Sequence, residues 1–250
     1  TPMDDFSTWL LLAAGGLVAG VINTLAGGGS LITVPLLVFL GLPATVANGT
    51  NRIGVLFQNG VAVWRFRSKG FNGIKEAVPL LIPVLVGSAI GAAIAARMSP
   101  EIFRQVFGVA MIALLYPMLR RRPNKDRETA APPRSRIANT AIFFAIGLYG
   151  GALQAGVGLF LIAALARSGL DLVRANAVKV VIIGALTLVA VPVFILEGQI
   201  DWAFASALVV GFALGGELGA RAALAGGERL IRAMLVVAVF AMSGRMLGLY

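Results

Sequence analysis

The sequence predicts an all-α, polytopic membrane protein made of two inverted-topology repeats, each with about five membrane elements including broken or re-entrant helices. Three observations carry that expectation. Of 250 residues, 58% are hydrophobic and 13% charged, whereas a soluble domain is about half apolar and a quarter charged. The apolar residues gather in stretches separated by short turns. The two halves of the chain also match each other at a nearly constant offset.

The apolar stretches run over 8–25, 30–41, 44–65, 77–97, 101–120, 137–155, 157–168, 173–196, 202–221 and 229–248. A full crossing takes about 20 helical residues. The third, fourth, fifth, eighth, ninth and tenth stretches reach that length. The second and seventh are too short and are expected as half-helices or re-entrant arms. The N-terminal stretch follows Asp4 and Asp5 with no basic residue before it. That is the wrong sign for a secretory leader, so it reads as the first membrane element.

An offset of 128 places sets Gly41-Leu42 on Gly169-Leu170, Ala47-Asn48 on Ala175-Asn176, Gly87 on Gly215, Gly91-Ala92 on Gly219-Ala220 and Arg104 on Arg232. Nearer the start the offset is 131, which sets Gly16-Leu17 on Gly147-Leu148 and Gly20 on Gly151. One register held across both halves indicates a tandem duplication. Residues 1–120 form the first repeat, 121–136 a cytoplasmic linker with Pro123, Pro132 and Pro133, and 137–250 the second repeat. Each half crosses an odd number of times, so the second must be inverted. Loop charge agrees. With Asp4 and Asp5 outside, the basic segments 65–75 and 120–136 and the pairs Arg167/Arg174 and Arg221/Arg229 fall inside, while the acidic 197–201 segment falls outside. Trp9, Trp64 and Trp202 lie at segment ends, where interfacial indoles belong.

Composition also excludes chemistry. The chain has no Cys and no His, which removes disulfides, thiolate metal sites, Cys nucleophiles and imidazole acid–base catalysis. No catalytic residue, metal site or cofactor is expected. The net charge of +10 sits in inter-helix segments, as in cytoplasmic anchoring loops, so nucleic acid is not the expected partner. The expected partners are the lipid bilayer and a small anion. Homo-oligomerisation stays open.

The first candidate motif is Asn23-Thr24-Leu25-Ala26-Gly27-Gly28-Gly29-Ser30, answered in the second half by Gln154-Ala155-Gly156-Val157-Gly158. Glycines inside an apolar stretch break the helix and free backbone groups, which membranes tolerate only in protein interior or beside water. Ser30 would cap the following arm, with its positive dipole end aimed inward. Broken helices at matching places in inverted repeats mark midplane transport sites; the plainer reading is close helix packing.

The second candidate is Asn48-Gly49-Thr50-Asn51-Arg52, matched by Asn176-Ala177-Val178-Lys179. Asn48, Asn51 and Arg52 fall at i, i+3 and i+4 on one helix face, which Gln58 and Asn59 extend. Each half thus supplies a cation. A cation in the membrane costs at least about 2.5–3.5 kcal/mol and needs a partner. Glu217 is the clear intramembrane carboxylate and has Arg221 four places on. Two cations without matching acids suggest that the counter-ion is a substrate; the plainer reading has both snorkel or bond to carbonyls. Gly87/Gly91 and Gly215/Gly219 read as helix contacts, and Glu76, Glu197 and Asp201 as solvated loop charges.

The run Gly20-Val-Ile-Asn-Thr-Leu-Ala-Gly-Gly-Gly-Ser30 and the run Ala47-Asn-Gly-Thr-Asn-Arg52 resemble the TauE/SafE family of sulfite and organosulfonate exporters. Gly147-Leu-Tyr-Gly-Gly151 and Arg174-Ala-Asn-Ala-Val-Lys179 resemble it too. The resemblance implies a bacterial inner-membrane permease for sulfur-containing anions. The expected site comprises Arg52 and Lys179 for charge, Asn23, Asn48, Thr50, Asn51, Gln154 and Asn176 as donors, and Gly27, Gly28, Gly29 and Ser30 at the turn. A passive anion channel, an importer of sulfur oxyanions, a membrane-embedded enzyme and a structural scaffold are the rival readings.

Overall fold

The computed structural model describes residues 6–120, 135–165 and 169–225, with side chains throughout except at 115–120. The tenth apolar stretch and most of the linker lie outside the described residues. Those residues form nine helices and no strand: α1 (Phe6–Ala26), α2 (Ser30–Phe39), α3 (Ala44–Ser68), α4 (Ile74–Ala96), α5 (Pro100–Arg120), α6 (Arg136–Ala152), α7 (Val157–Leu165), α8 (Leu172–Leu196) and α9 (Trp202–Leu224). The short second and seventh stretches are short helices here, of 10 and 9 residues.

Helix ends follow local chemistry. Ser135 caps α6 by accepting from the Ala138 N–H at 3.2 Å, and Asp171 caps α8 by accepting from the Arg174 N–H at 2.9 Å. Asp201 Oδ1 accepts from both Ala203 and Phe204 N–H at 3.0 Å. Asp201 is therefore the α9 cap, and not merely a solvated loop charge. The expected cap at Ser30 is corrected: Gly29 holds that position, without any side-chain bond to the helix end. Between α1 and α2 the chain reverses at Gly27, with φ of 81°. Between α6 and α7 it does so through Gln154 and Gly156, with φ of 59° and 70°.

Packing joins distant parts of the chain. α1 lies along α9, and α4 along α6, with α3 running between α8 and α9. These pairs approach backbone to backbone. A Cβ on Gly91 would fall 2.0 Å from the Leu148 carbonyl oxygen, and one on Gly215 would fall 2.3 Å from that of Leu17. The paired glycines thus act as the helix contacts expected of them. In lipid, where apolar burial gives no net drive between helices, such contact through small residues supplies dispersion energy instead.

The outside of the bundle is apolar. Ile82, Val86, Ile90 and Ile94 recur every fourth residue along α4 and are 43–77% exposed. A soluble protein rarely shows so long an apolar stripe to water. Helices α1, α4, α8 and α9 are long and apolar enough to cross a bilayer. The 25-residue α3 is long enough, but its polar residues lower its hydropathy; those from Thr45 to Asn59 are buried. The chain is an all-α polytopic membrane protein.

Candidate functional site

The polar residues singled out in the sequence are buried together in the interior of the bundle. Asn48, Thr50, Asn51, Arg52, Gln58, Asn59 and Lys179 are wholly inaccessible, and Asn23, Ser30, Gln154 and Asn176 nearly so. They do not converge on one point. The α3 face divides its bonds among four neighbours.

Asn51 binds the short arm α2. Its Nδ2 donates to Ser30 Oγ at 2.9 Å, and its Oδ1 accepts from Thr33 Oγ1 at 2.5 Å. Lower on the same helix, Gln58 holds the end of α1: Asn23 Nδ2 donates to Gln58 Oε1 at 2.5 Å, and Gln58 Nε2 donates to Thr24 Oγ1 at 2.7 Å. Asn59 donates back to the Val55 carbonyl at 2.7 Å. Thr50 turns to the α8–α9 loop, where its Oγ1 accepts from the Asp201 N–H at 2.9 Å.

Asn48 and Arg52 share the fourth neighbour, the end of α6. Arg52 Nη1 donates to the Gly150 carbonyl at 3.2 Å, and Nη2 donates to those of Gly151 and Ala152 at 2.5 and 3.1 Å. Asn48 Nδ2 donates to Ala152 O at 2.9 Å. The last carbonyls of a helix have no partner within it and carry the negative end of its dipole, so a guanidinium is well matched to them. The Phe194 ring covers the other side, its centroid 4.6 Å from Arg52 Cζ.

Lys179 on α8 does the corresponding thing at the end of α1. Its Nζ donates to the Asn23 and Thr24 carbonyls at 3.2 and 2.5 Å, and to Asn176 Oδ1 at 2.8 Å. Each cation thus sits on the terminal carbonyls of a helix from the other half of the chain. Carbonyl bonding, the plainer of the two expectations, accounts for these contacts. It leaves a formal charge uncompensated at Arg52, which takes part in none of the ion pairs among the described residues.

The two broken turns touch. The ideal Cβ of Gly27 would lie 2.3 Å from Gly158 Cα. Gln154, offset by 131 from Asn23, donates from Nε2 to Thr187 Oγ1 at 2.6 Å, much as Asn23 engages Gln58. Gly28 makes one turn bond, its carbonyl accepting from the Leu31 N–H at 3.0 Å.

Several contributors were not singled out from sequence. Thr33 and Phe194 carry no pattern of their own, and Thr24 stood inside the first motif without being counted in the expected site. Thr187 had one signal, standing 128 places after Asn59. At the C-terminal ends of α3 and α9, Glu217 Oε1 lies 2.8 Å from Arg221 Nε and 3.3 Å from Arg65 Nε. Glu217 therefore has a second cation beside the one expected. No cluster of potential metal ligands occurs among the described residues.

A lipid-faced helical bundle with buried polar residues gathered around two broken helices is the architecture of a membrane transporter. The chain belongs to the sulfite exporter TauE/SafE family, whose family model matches residues 12–246. It is similar to a probable membrane transporter protein of a Sinorhizobium species, with 27% identity over 98% of this chain and 95% of the relative. A Haemophilus influenzae probable membrane transporter protein is 29% identical over 92% of this chain and 91% of its own. The Escherichia coli probable membrane transporter protein YfcA is 28% identical over 92% and 86%. No solved structure matches the chain.

Proposed function

We propose that this protein is a multi-pass transporter of the bacterial inner membrane. In this reading it exports a small sulfur-containing anion, sulfite or an organosulfonate, by alternating access of two inverted repeats. The observation that carries the reading is Arg52, a fully buried guanidinium whose partners are main-chain carbonyls and an aromatic ring. Carbonyl dipoles lower the cost of a charge in the membrane without cancelling it, and a bound anion would. Family membership supplies the sulfur chemistry and the direction.

Within the expected set, Asn48, Arg52, Asn176 and Lys179 are the proposed ligand contacts, together with the Gly27–Gly29 and Gln154–Gly158 turns. Asn51, Ser30 and Thr50 are committed to holding α2 and the α8–α9 loop. The pairing of each cation with the other half's helix end supports rocking, because moving one half against the other must break those bonds. Neither His nor an isolated intramembrane acid marks a proton relay, and export needs none. The membrane potential drives an anion out of a negative cytoplasm by about 2.3 kcal/mol per charge per 100 mV.

Reconstituted vesicles test this. With a potential imposed and no pH or Na⁺ gradient, sulfite should accumulate on the positive side. Accumulation that appears only when a proton or sodium gradient is added would refute the uncoupled mechanism. A single-file conductance would replace the carrier with a channel.

A further inference from the structure

Among the described residues, two buried atoms one turn apart on α3 find no hydrogen-bond partner, and they are of opposite kind. Arg52 Nε carries a hydrogen with no acceptor, and Asn48 Oδ1 is an acceptor with no donor. Both side chains are 0% exposed. Both also reach Ala152 O, through Asn48 Nδ2 at 2.9 Å and Arg52 Nη2 at 3.1 Å. The two side chains therefore meet at the end of α6. Rotating the Asn48 amide by half a turn gives no relief, because it would set Oδ1 against the Ala152 carbonyl, acceptor to acceptor. Buried polar groups are destabilising until paired, so a donor and an acceptor left open on side chains one turn apart suggest what completes them.

We propose that Asn48 and Arg52 form a selecting pair for a monovalent oxyanion that brings its own hydrogen-bond donor. Hydrogen sulfite fits that chemistry, and so does a sulfonate with a hydroxyl or amino group close to sulfur. The anionic oxygen accepts from Arg52 Nε–H, and the ligand's donor meets Asn48 Oδ1. A fully deprotonated dianion has acceptors alone; it leaves Oδ1 unpaired and sets lone pairs against it. The span is short, since residues at i and i+4 have Cβ atoms about 5–6 Å apart. Only a ligand whose charge and donor are a few atoms apart bridges them. Asn48 thus acts through its oxygen, its amide hydrogen already being given to Ala152.

This inference rests on the proposed transport reading, so its test keeps the two apart. The full chain, purified in detergent, is titrated calorimetrically with ethanesulfonate and 2-hydroxyethanesulfonate, which share a charge and differ by one donor. Wild type should bind the hydroxylated ligand about tenfold more tightly, the order expected when a buried acceptor is answered instead of left open. Asn48→Leu should bring the two ligands to equal affinity, and Asn48→Asp, which keeps an acceptor, should retain the preference. Equal affinities in wild type, or a preference that survives in Asn48→Leu, overturn the inference and assign the open atoms to bridging water. If Asn48→Leu does not fold, the wild-type comparison alone decides. Unchanged binding by Arg52→Gln removes Arg52 from the site and overturns the selecting pair, whereas failure of sulfite and both sulfonates to bind wild type overturns the transport reading itself.

Discussion

Gly27 and Gly158 meet backbone to backbone at the centre of the bundle. A Cβ on Gly27 would lie 2.3 Å from Gly158 Cα, and one on Gly158 would lie 2.4 Å from Gly27 Cα. The turn that follows α1 and the first residues of α7 are therefore seated on each other. Neither can gain a methyl group without parting the two broken helices.

Gly27→Ala should be the most damaging of the turn substitutions. It adds a clash with main chain, which cannot step aside, to a φ of 81° that costs an L-residue about 1–2 kcal/mol. Gly41→Ala, at a φ of 100° but with nothing within 4 Å of the added carbon, should carry only the backbone penalty. Thermal unfolding in detergent should show a clearly larger loss for position 27. Equal losses would mean that the turns do not bear on each other.

Removing the Arg52 guanidinium leaves the buried Gly150 and Gly151 carbonyls short of a side-chain donor, at about 1–3 kcal/mol for each that stays unpaired, while Ala152 O keeps the Asn48 amide. Arg52→Gln should therefore lower the unfolding temperature as well as anion affinity. Arg52→Lys should restore the charge but not the fork that spans Gly150 to Ala152, and should fall between the two. An Arg52→Lys protein indistinguishable from wild type in both measurements would show that charge alone matters there.

The Thr50 hydroxyl holds the α8–α9 loop by accepting from the Asp201 N–H at 2.9 Å. Thr50→Val keeps the shape and removes the acceptor. Amide exchange at Asp201 should speed up about tenfold, the equivalent of one hydrogen bond worth about 1.4 kcal/mol. Exchange in the middle of α3 should not change. If protection at Asp201 is unaltered, the loop is held by its other contact, Gln199 Nε2 donating to the Ala96 carbonyl at 2.6 Å.

Because the chain has no Cys, single cysteines give a clean test of topology. Glu197→Cys, at the exposed end of α8, should react with a membrane-impermeant maleimide in intact cells. Ser68→Cys, at the end of α3 beside Arg65 and Arg67, should not react until the membrane is opened. The reverse pattern would invert the orientation inferred from loop charge.

Much of the architecture was legible because it depends on composition and short-range pattern. The lengths of α2 and α7, the breaks at Gly27 and Gly156 and the buried stripe on α3 all follow from which residues stand within a few places of each other. The cap at Ser30 failed on the same scale: its hydroxyl had a better partner in Asn51, which comes from another helix. Partner choice is where local reading stops. Arg52 bonds Gly150 and Gly151, 98 and 99 residues away, and Lys179 bonds Thr24 across 155. A periodic pattern shows which face of a helix is polar, but not which helix end the tertiary packing brings against it. By itself the sequence determined that two cations lie buried in a membrane bundle. Only the tertiary structure decided that each would cap the other half's broken helix, because carbonyls freed at a helix end are the densest negative potential within reach of a cation that has left water.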